Sequence, residues 1–144
     1  MPSAEQSDVF NCTVPQFFKL VTDYANYPKF LQEVKECKVV KIEGARKLVE
    51  YKVAVLKNFV YQLWMTESDP NSVTWTLASG DIFKTSDGSW TLEDVGGKCK
   101  AIYKIEANFG IFVPGPIAKT LLSVNLPTMF ASYHKRVGEI YGGK

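Results

Sequence analysis

The chain has 144 residues, a formal net charge of +2 and 46% hydrophobic residues. That length suits a single domain, residues 1–144, around one substantial core. The near-neutral charge excludes a broad nucleic-acid footprint and makes DNA a poor partner, and the apolar content excludes a disordered chain.

Cys12, Cys37 and Cys99 are odd in number and widely spaced, which gives neither a disulfide framework nor a metal signature. Cys99 alternates with Ala101 and Tyr103, as a strand residue that packs like a small hydrophobe. Met1 to Asp8 lack the basic-then-apolar pattern of a signal peptide. No apolar run approaches the ~20 residues of a membrane span. The expectation is a soluble, cytoplasmic protein.

In chain order, residues 4–11 read as a weakly patterned strand. Thr13 then reads as a helix cap, with Gln16 three residues on in the capping-box position and Pro15 in the first turn. Phe17, Phe18, Leu20 and Val21 give that short helix a buried side. Asp23 and Asn26 interrupt it, and a second short turn around Pro28 carries Phe30 and Leu31.

From Val34 the hydrophobic period becomes two. Val34 to Glu43 is one strand, closed by Gly44-Ala45. Lys47 to Leu56 is the next, with Val49, Tyr51, Val53 and Val55 on one face and Glu50 and Lys52 on the other. Lys57-Asn58 reads as a tight connection to a strand that carries Phe59, Tyr61, Leu63 and Met65. Asp69 to Ser72 is a turn signal. Val73, Trp75 and Leu77 alternate with threonines up to Gly80. Phe83 to Glu93 is a further strand, bent or bulged at Asp87-Gly88. Gly96-Gly97 turns the chain into a last strand through Cys99, Ala101, Tyr103 and Ile105.

Pro116 to Tyr141 reads as one long helix, with Ile117, Leu121, Val124, Met129, Val137 and Ile140 along its apolar stripe. Pro127 should kink it, with loss of a hydrogen bond at Ser123. A long helix after about six hairpin-connected strands needs the sheet to wrap it. The result is an α+β fold with a curved antiparallel sheet of about seven strands.

Alternation places Tyr51, Tyr61, Trp75, Trp90 and Tyr103 on the face turned to the helix, from which Asn125 and Met129 approach. These seven residues are the candidate ligand-binding set: an apolar space with a few polar handles. No catalytic set is recognisable. His134, the single histidine, has no orienting acid or nucleophile near it in sequence and reads as a boundary helix residue. Asp81 reads as a bend residue. No metal-ligand spacing, phosphate loop or other cofactor motif is present.

The segment Phe17-Phe18-Lys19-Leu20-Val21-Thr22-Asp23-Tyr24-Ala25-Asn26-Tyr27-Pro28-Lys29-Phe30-Leu31, followed by Trp90, Gly96-Gly97 and Tyr103, resembles the helix-grip superfamily of START and Bet v 1 type domains. Within it the chain looks like the polyketide cyclase/dehydrase branch, with its coenzyme Q-binding and ribosome-association toxin relatives. The resemblance implies binding or transfer of a lipid, quinone or aromatic polyketide in an internal cavity. A cyclase- or dehydrase-type enzyme is the second reading that it implies. A ribosome- or protein-interacting module is the third, with Lys35, Lys38, Lys41, Lys135 and Arg136 as contributors.

Overall fold

The computed structural model describes residues 3–55, 57–80, 82–110, 113–119 and 126–141. Seven strands form one fully antiparallel sheet: β1 (Ser3–Phe10), β2 (Val34–Glu43), β3 (Arg46–Val55), β4 (Lys57–Ser68), β5 (Ser72–Gly80), β6 (Phe83–Val95) and β7 (Lys98–Phe109). Their spatial order is β1-β7-β6-β5-β4-β3-β2. Consecutive hairpins generate six of the strands in sequence, and β1 closes the far edge by pairing with β7 from Ser3↔Glu106 to Phe10↔Cys99. Between β1 and β2 lie helix α1 (Val14–Val21) and a 3₁₀ helix (Tyr24–Lys29). After β7 come α2 (Gly115–Lys119) and α3 (Leu126–Tyr141). This is the expected helix-grip architecture. Leu56, Asp81, Ser123 and Asn125 lie outside the described residues, as do the side chains of Ile117, Leu121 and Val124.

The start of α1 is set locally. The Thr13 hydroxyl accepts from the Gln16 amide at 3.3 Å, and the Thr13 amide donates to Gln16 Oε1 at 2.9 Å. Each bond satisfies an amide that the first helical turn leaves without a partner. Pro15, in the same turn, has no amide to satisfy. The helix then buries Phe17, Leu20 and Val21. The 3₁₀ helix is anchored through its aromatics. Tyr24 donates to Glu67 on β4 at 2.8 Å, and Lys47 on β3 lies 3.0 Å from the same carboxylate. The Tyr27 hydroxyl donates to the Val21 carbonyl.

Three details differ from the sequence reading. Lys57 and Asn58 do not form the β3–β4 connection; they already pair with Val55 and Ala54, so the chain reverses one residue earlier. Asp87 and Gly88 are not a bulge. The ladder runs in register through both, and the irregularity of β6 falls between Phe83 and Thr85. On α3 the buried stripe is Leu126, Phe130, Tyr133 and Val137, at spacings of four, three and four, while Ile140 is exposed. Pro127 falls in α3, and the hydrogen bond expected to be lost at Ser123 lies outside the described residues.

Far apart in sequence, α3 and β1 are stitched together in space. His134 Nε2 lies 2.7 Å from Asp8 Oδ2, and its ring stacks on Phe10 with centroids 4.2 Å apart. The hydrogen bond from His134 holds the Asp8 carboxyl below the ordinary aspartate range. Both side chains are substantially exposed, so this pair is a boundary clasp.

The cap yields a direct test. Thr13→Ala removes the hydroxyl acceptor and should lower stability by roughly 0.5–2 kcal/mol. Denaturant melts should show a lower midpoint with an unchanged slope.

Candidate functional site

The inner face of the sheet, the 3₁₀ segment and α3 enclose a cavity of about 150 Å³. Period-two alternation on β3 to β7 turns Tyr51, Tyr61, Trp75, Trp90 and Tyr103 inward, and all five line it. Met129 joins them from α3. Their outward neighbours Thr74, Thr91 and Lys104 are exposed, as the alternation requires.

The walls form a continuous aromatic network. Tyr51 and Tyr61, opposite each other on β3 and β4, stack at 5.3 Å with 16° between their planes. Tyr103 meets Trp75 at 5.5 Å and Trp90 at 4.9 Å. Trp90 in turn meets Tyr133 of α3 edge-on at 5.4 Å. Such tilted and edge contacts hold rings in fixed orientations beyond what area burial provides.

Gly88 has a steric reason to be glycine. It faces Trp75 across the β5–β6 ladder, and a Cβ there would stand 2.2 Å from Cζ2 of the indole. The missing side chain is the space in which Trp75 lies against the wall.

Several cavity residues are absent from the sequence-derived set: Tyr27, Glu33, Phe83, Ser86 and Tyr133. Ser86 is the one buried polar residue among the described residues. It shares the inward phase of Gly88 and Trp90, so its alternation with Trp90 was a usable signal. Glu33 precedes β2, where no periodicity places it.

The chemistry of the walls follows from burial. Desolvation pushes the phenols of Tyr27, Tyr51, Tyr61, Tyr103 and Tyr133 above the ordinary tyrosine value. The charge of Glu33 adds to the upward shift at Tyr61, Tyr103 and Tyr133. These phenols are therefore neutral at physiological pH and offer hydroxyls as donors and acceptors. Tyr51 donates to the Met65 sulfur at 3.6 Å. All three cysteines are buried, with burial raising Cys12 to about 11 and Cys37 and Cys99 to about 12, so none is a poised nucleophile.

With this geometry in view, comparison with known proteins is decisive at the level of family. Residues 11–132 match the family described as polyketide cyclase / dehydrase and lipid transport. The chain belongs to that family. Solved structures share its fold at low identity. A START superfamily protein from Mycobacterium smegmatis is 17% identical with a TM-score of 0.84, covering 96% of this chain and 98% of its own. The Zhui aromatase/cyclase from Streptomyces sp. R1128 is 10% identical with a TM-score of 0.81, covering 99% of each chain. A STAR-related lipid transfer protein from Xanthomonas axonopodis is 15% identical with a TM-score of 0.72, covering 90% of this chain and 82% of its own. No curated protein sequence matches the chain. Among the described residues no helix is long and apolar enough to cross a membrane.

Two outcomes test the wall. Gly88→Ala should force the Trp75 indole into the cavity, lower stability by about 1–3 kcal/mol and change the tryptophan fluorescence. The phenols set an alkaline limit. Their folded pKa values lie above the unfolded value of about 10, so their contribution to stability is complete below that pH and is lost as pH rises through the folded values. Thermal melts across the alkaline range should therefore show a falling Tm, with phenolate absorbance appearing only as the protein unfolds.

Proposed function

We propose that the chain binds, and in that capacity carries, a hydrophobic small molecule in the cavity between sheet and α3. The observation that supports this most directly is the cavity itself, bounded by apolar and aromatic side chains with neutral hydroxyls at a few points. A wall of this kind favours ring-bearing or acyl groups and disfavours a bare charge, which would lose its hydration without full compensation. The ligand-contacting residues in this reading are Tyr51, Tyr61, Trp75, Trp90, Tyr103 and Met129, with Tyr133 and Ser86 added and Asn125 kept from the sequence. A cavity near 150 Å³ holds roughly one benzene-sized ring. The enclosed part of the ligand is accordingly one ring or a short acyl segment, whether the whole molecule is a lipid, a quinone or an aromatic polyketide.

A cyclase- or dehydrase-type reaction is the second reading, and Glu33 favours it. A carboxylate in the wall, acting electrostatically on three neutral phenols, supplies a proton acceptor beside proton donors. The ribosome- or protein-partner reading has less support. Of its lysines, Lys38 on β2 lies 3.6 Å from Glu50 on β3 and Lys41 lies 2.8 Å from Glu43 within β2, both ordinary surface pairs.

Native mass spectrometry of the purified protein should show a retained apolar ligand, and calorimetry with lipid, quinone and polyketide-like compounds should give a negative heat-capacity change. Ile105→Trp, which places a large ring into the cavity from β7, should weaken binding at least tenfold, about 1.4 kcal/mol, while the protein still melts cooperatively. Equal binding by this variant would reject the cavity as the site, and turnover of a bound compound would favour the enzyme.

A further inference from the structure

A second hollow lies on the other side of the cavity wall. It is a groove of about 210 Å³ between the 3₁₀ segment and α3, lined by Pro28, Lys29, Phe30, Gln32, Ser132, Lys135 and Glu139. The two hollows share their walls. Along residues 28–34, Phe30 and Gln32 face the groove while Leu31, Glu33 and Val34 face the cavity. Along α3, Ser132 and Lys135 face the groove while Met129 and Tyr133 face the cavity. Where they meet, the Phe30 ring stands edge-on to the Tyr133 ring with centroids 5.2 Å apart. One pair of aromatic rings is thus a partition between an apolar interior and an outer groove.

The groove has the opposite chemistry. Lys29 and Lys135 line it, and neither forms an ion pair among the described residues. Arg136, four residues after Ser132 and so on the same helix face, lays its guanidinium over the Phe30 ring at 5.4 Å. Its nearest acid is Glu139, at a loose 3.7 Å. The Nε of Arg136 is buried and has no hydrogen-bond acceptor, the one such side-chain atom among the described residues. Arg136 does not itself line the groove; it adjoins it through the Phe30 ring that its guanidinium covers. Two lysines, Lys29 and Lys135, against the single carboxylate of Glu139 leave the groove with an excess of positive charge. Charge-assisted bonds from Arg and Lys are the usual means of holding carboxylate or phosphate oxygens.

We propose that this groove is the seat for the anionic group, carboxylate or phosphate, of an amphipathic ligand whose apolar end occupies the cavity. The proposal rests on the cavity-binding reading and extends it. The cavity holds about one ring or a short acyl segment, and the groove is the adjoining place where the remainder of such a molecule meets complementary charge. Passage between them requires the half-exposed Phe30 to swing away from Tyr133. The shared chemistry is an anionic oxygen cluster on a short apolar tail; a free acid and a phosphorylated compound are its two sources.

The test uses three compounds with one tail: octanoate, octyl phosphate and methyl octanoate. At low ionic strength at least one of the two anions should bind roughly tenfold tighter than the ester, and the gap should shrink as salt screens the groove. Whichever anion binds tighter names the source. Lys29→Gln combined with Lys135→Gln should collapse the gap and leave ester affinity unchanged. Equal binding of ester and anions by the wild type, or a gap that survives the double substitution, overturns the proposal while the cavity reading stands. A separate titration follows the Arg136 Nε–H resonance by NMR with inorganic phosphate as the probe. That signal should move saturably even if no tailed compound binds, in which case the cavity reading fails and the anion groove stands alone. A signal that stays fixed under phosphate and octanoate alike rejects the groove.

Discussion

The packing of Trp90 is the interaction on which the rest of this molecule depends. Its indole meets Phe17 of α1 at 5.5 Å, Phe130 and Tyr133 of α3 at 5.6 and 5.4 Å, and Tyr103 of β7 at 4.9 Å. Three layers of structure from distant parts of the chain therefore close on one side chain. A ring of that size, buried on the sheet, holds the helices off the strands while binding them to it. Phe10, Phe17, Leu92 and Ala101 are buried and do not line the cavity, whereas Trp90 does. Beside it the sheet and α3 diverge and the cavity begins. Rigid rings keep that space open. An interior of flexible aliphatic chains would relax into the gap and recover its dispersion contacts.

Much of this was legible because a strand states its faces plainly. Once Glu50, Thr74, Thr91 and Lys104 are assigned to water, Tyr51, Trp75, Trp90 and Tyr103 have nowhere to point but inward, and no tertiary information is needed. Thr13 and Gln16 were equally readable, since a capping box is complete within four residues. Legibility failed where geometry depends on a partner that sequence does not name. Gly88 looked like a bulge because glycine in a strand commonly marks one; its actual cause is an indole thirteen positions earlier, brought alongside by the β5–β6 register. His134 looked solitary because Asp8, its partner, is 126 positions away.

Ile140 was placed on the α3 stripe for a related reason, while Val137 is buried as expected. Ile140 and Val137 are both apolar, and periodicity alone does not tell the buried one from the exposed one near a helix end. Contact with Phe10 and Phe17 settles it, because those rings fix Phe130 and Tyr133 inward and so fix the helix rotation. Glu33 escaped for want of any period at all. It sits between the 3₁₀ helix and β2, and the β2–β3 register shifts immediately afterwards, between Val34 and Glu36. Sites assembled from connecting segments are harder to read than sites on strands, for the same reason that they vary more freely: no repeating backbone geometry dictates where the next side chain points.

The division between a solid half and a hollow half also bears on what the protein can do. The half that holds α1, with that helix capped at one end and Val21 receiving the Tyr27 hydroxyl at the other, anchors the 3₁₀ segment at the edge of the cavity. Tyr24 makes a second anchor on Glu67, which Lys47 in turn neutralises. The segment that follows is the one that faces both hollows, and Phe30 is its least buried large ring. Rigid anchors therefore lead directly into a single mobile-sized element at the wall. In the proposed exchange route, opening at Phe30 would leave the Tyr24 and Tyr27 anchors in place. Under the proposed cavity-and-groove reading, selection would be governed less by the cavity's lining, which many apolar molecules satisfy, than by the polar groups that stand just outside it.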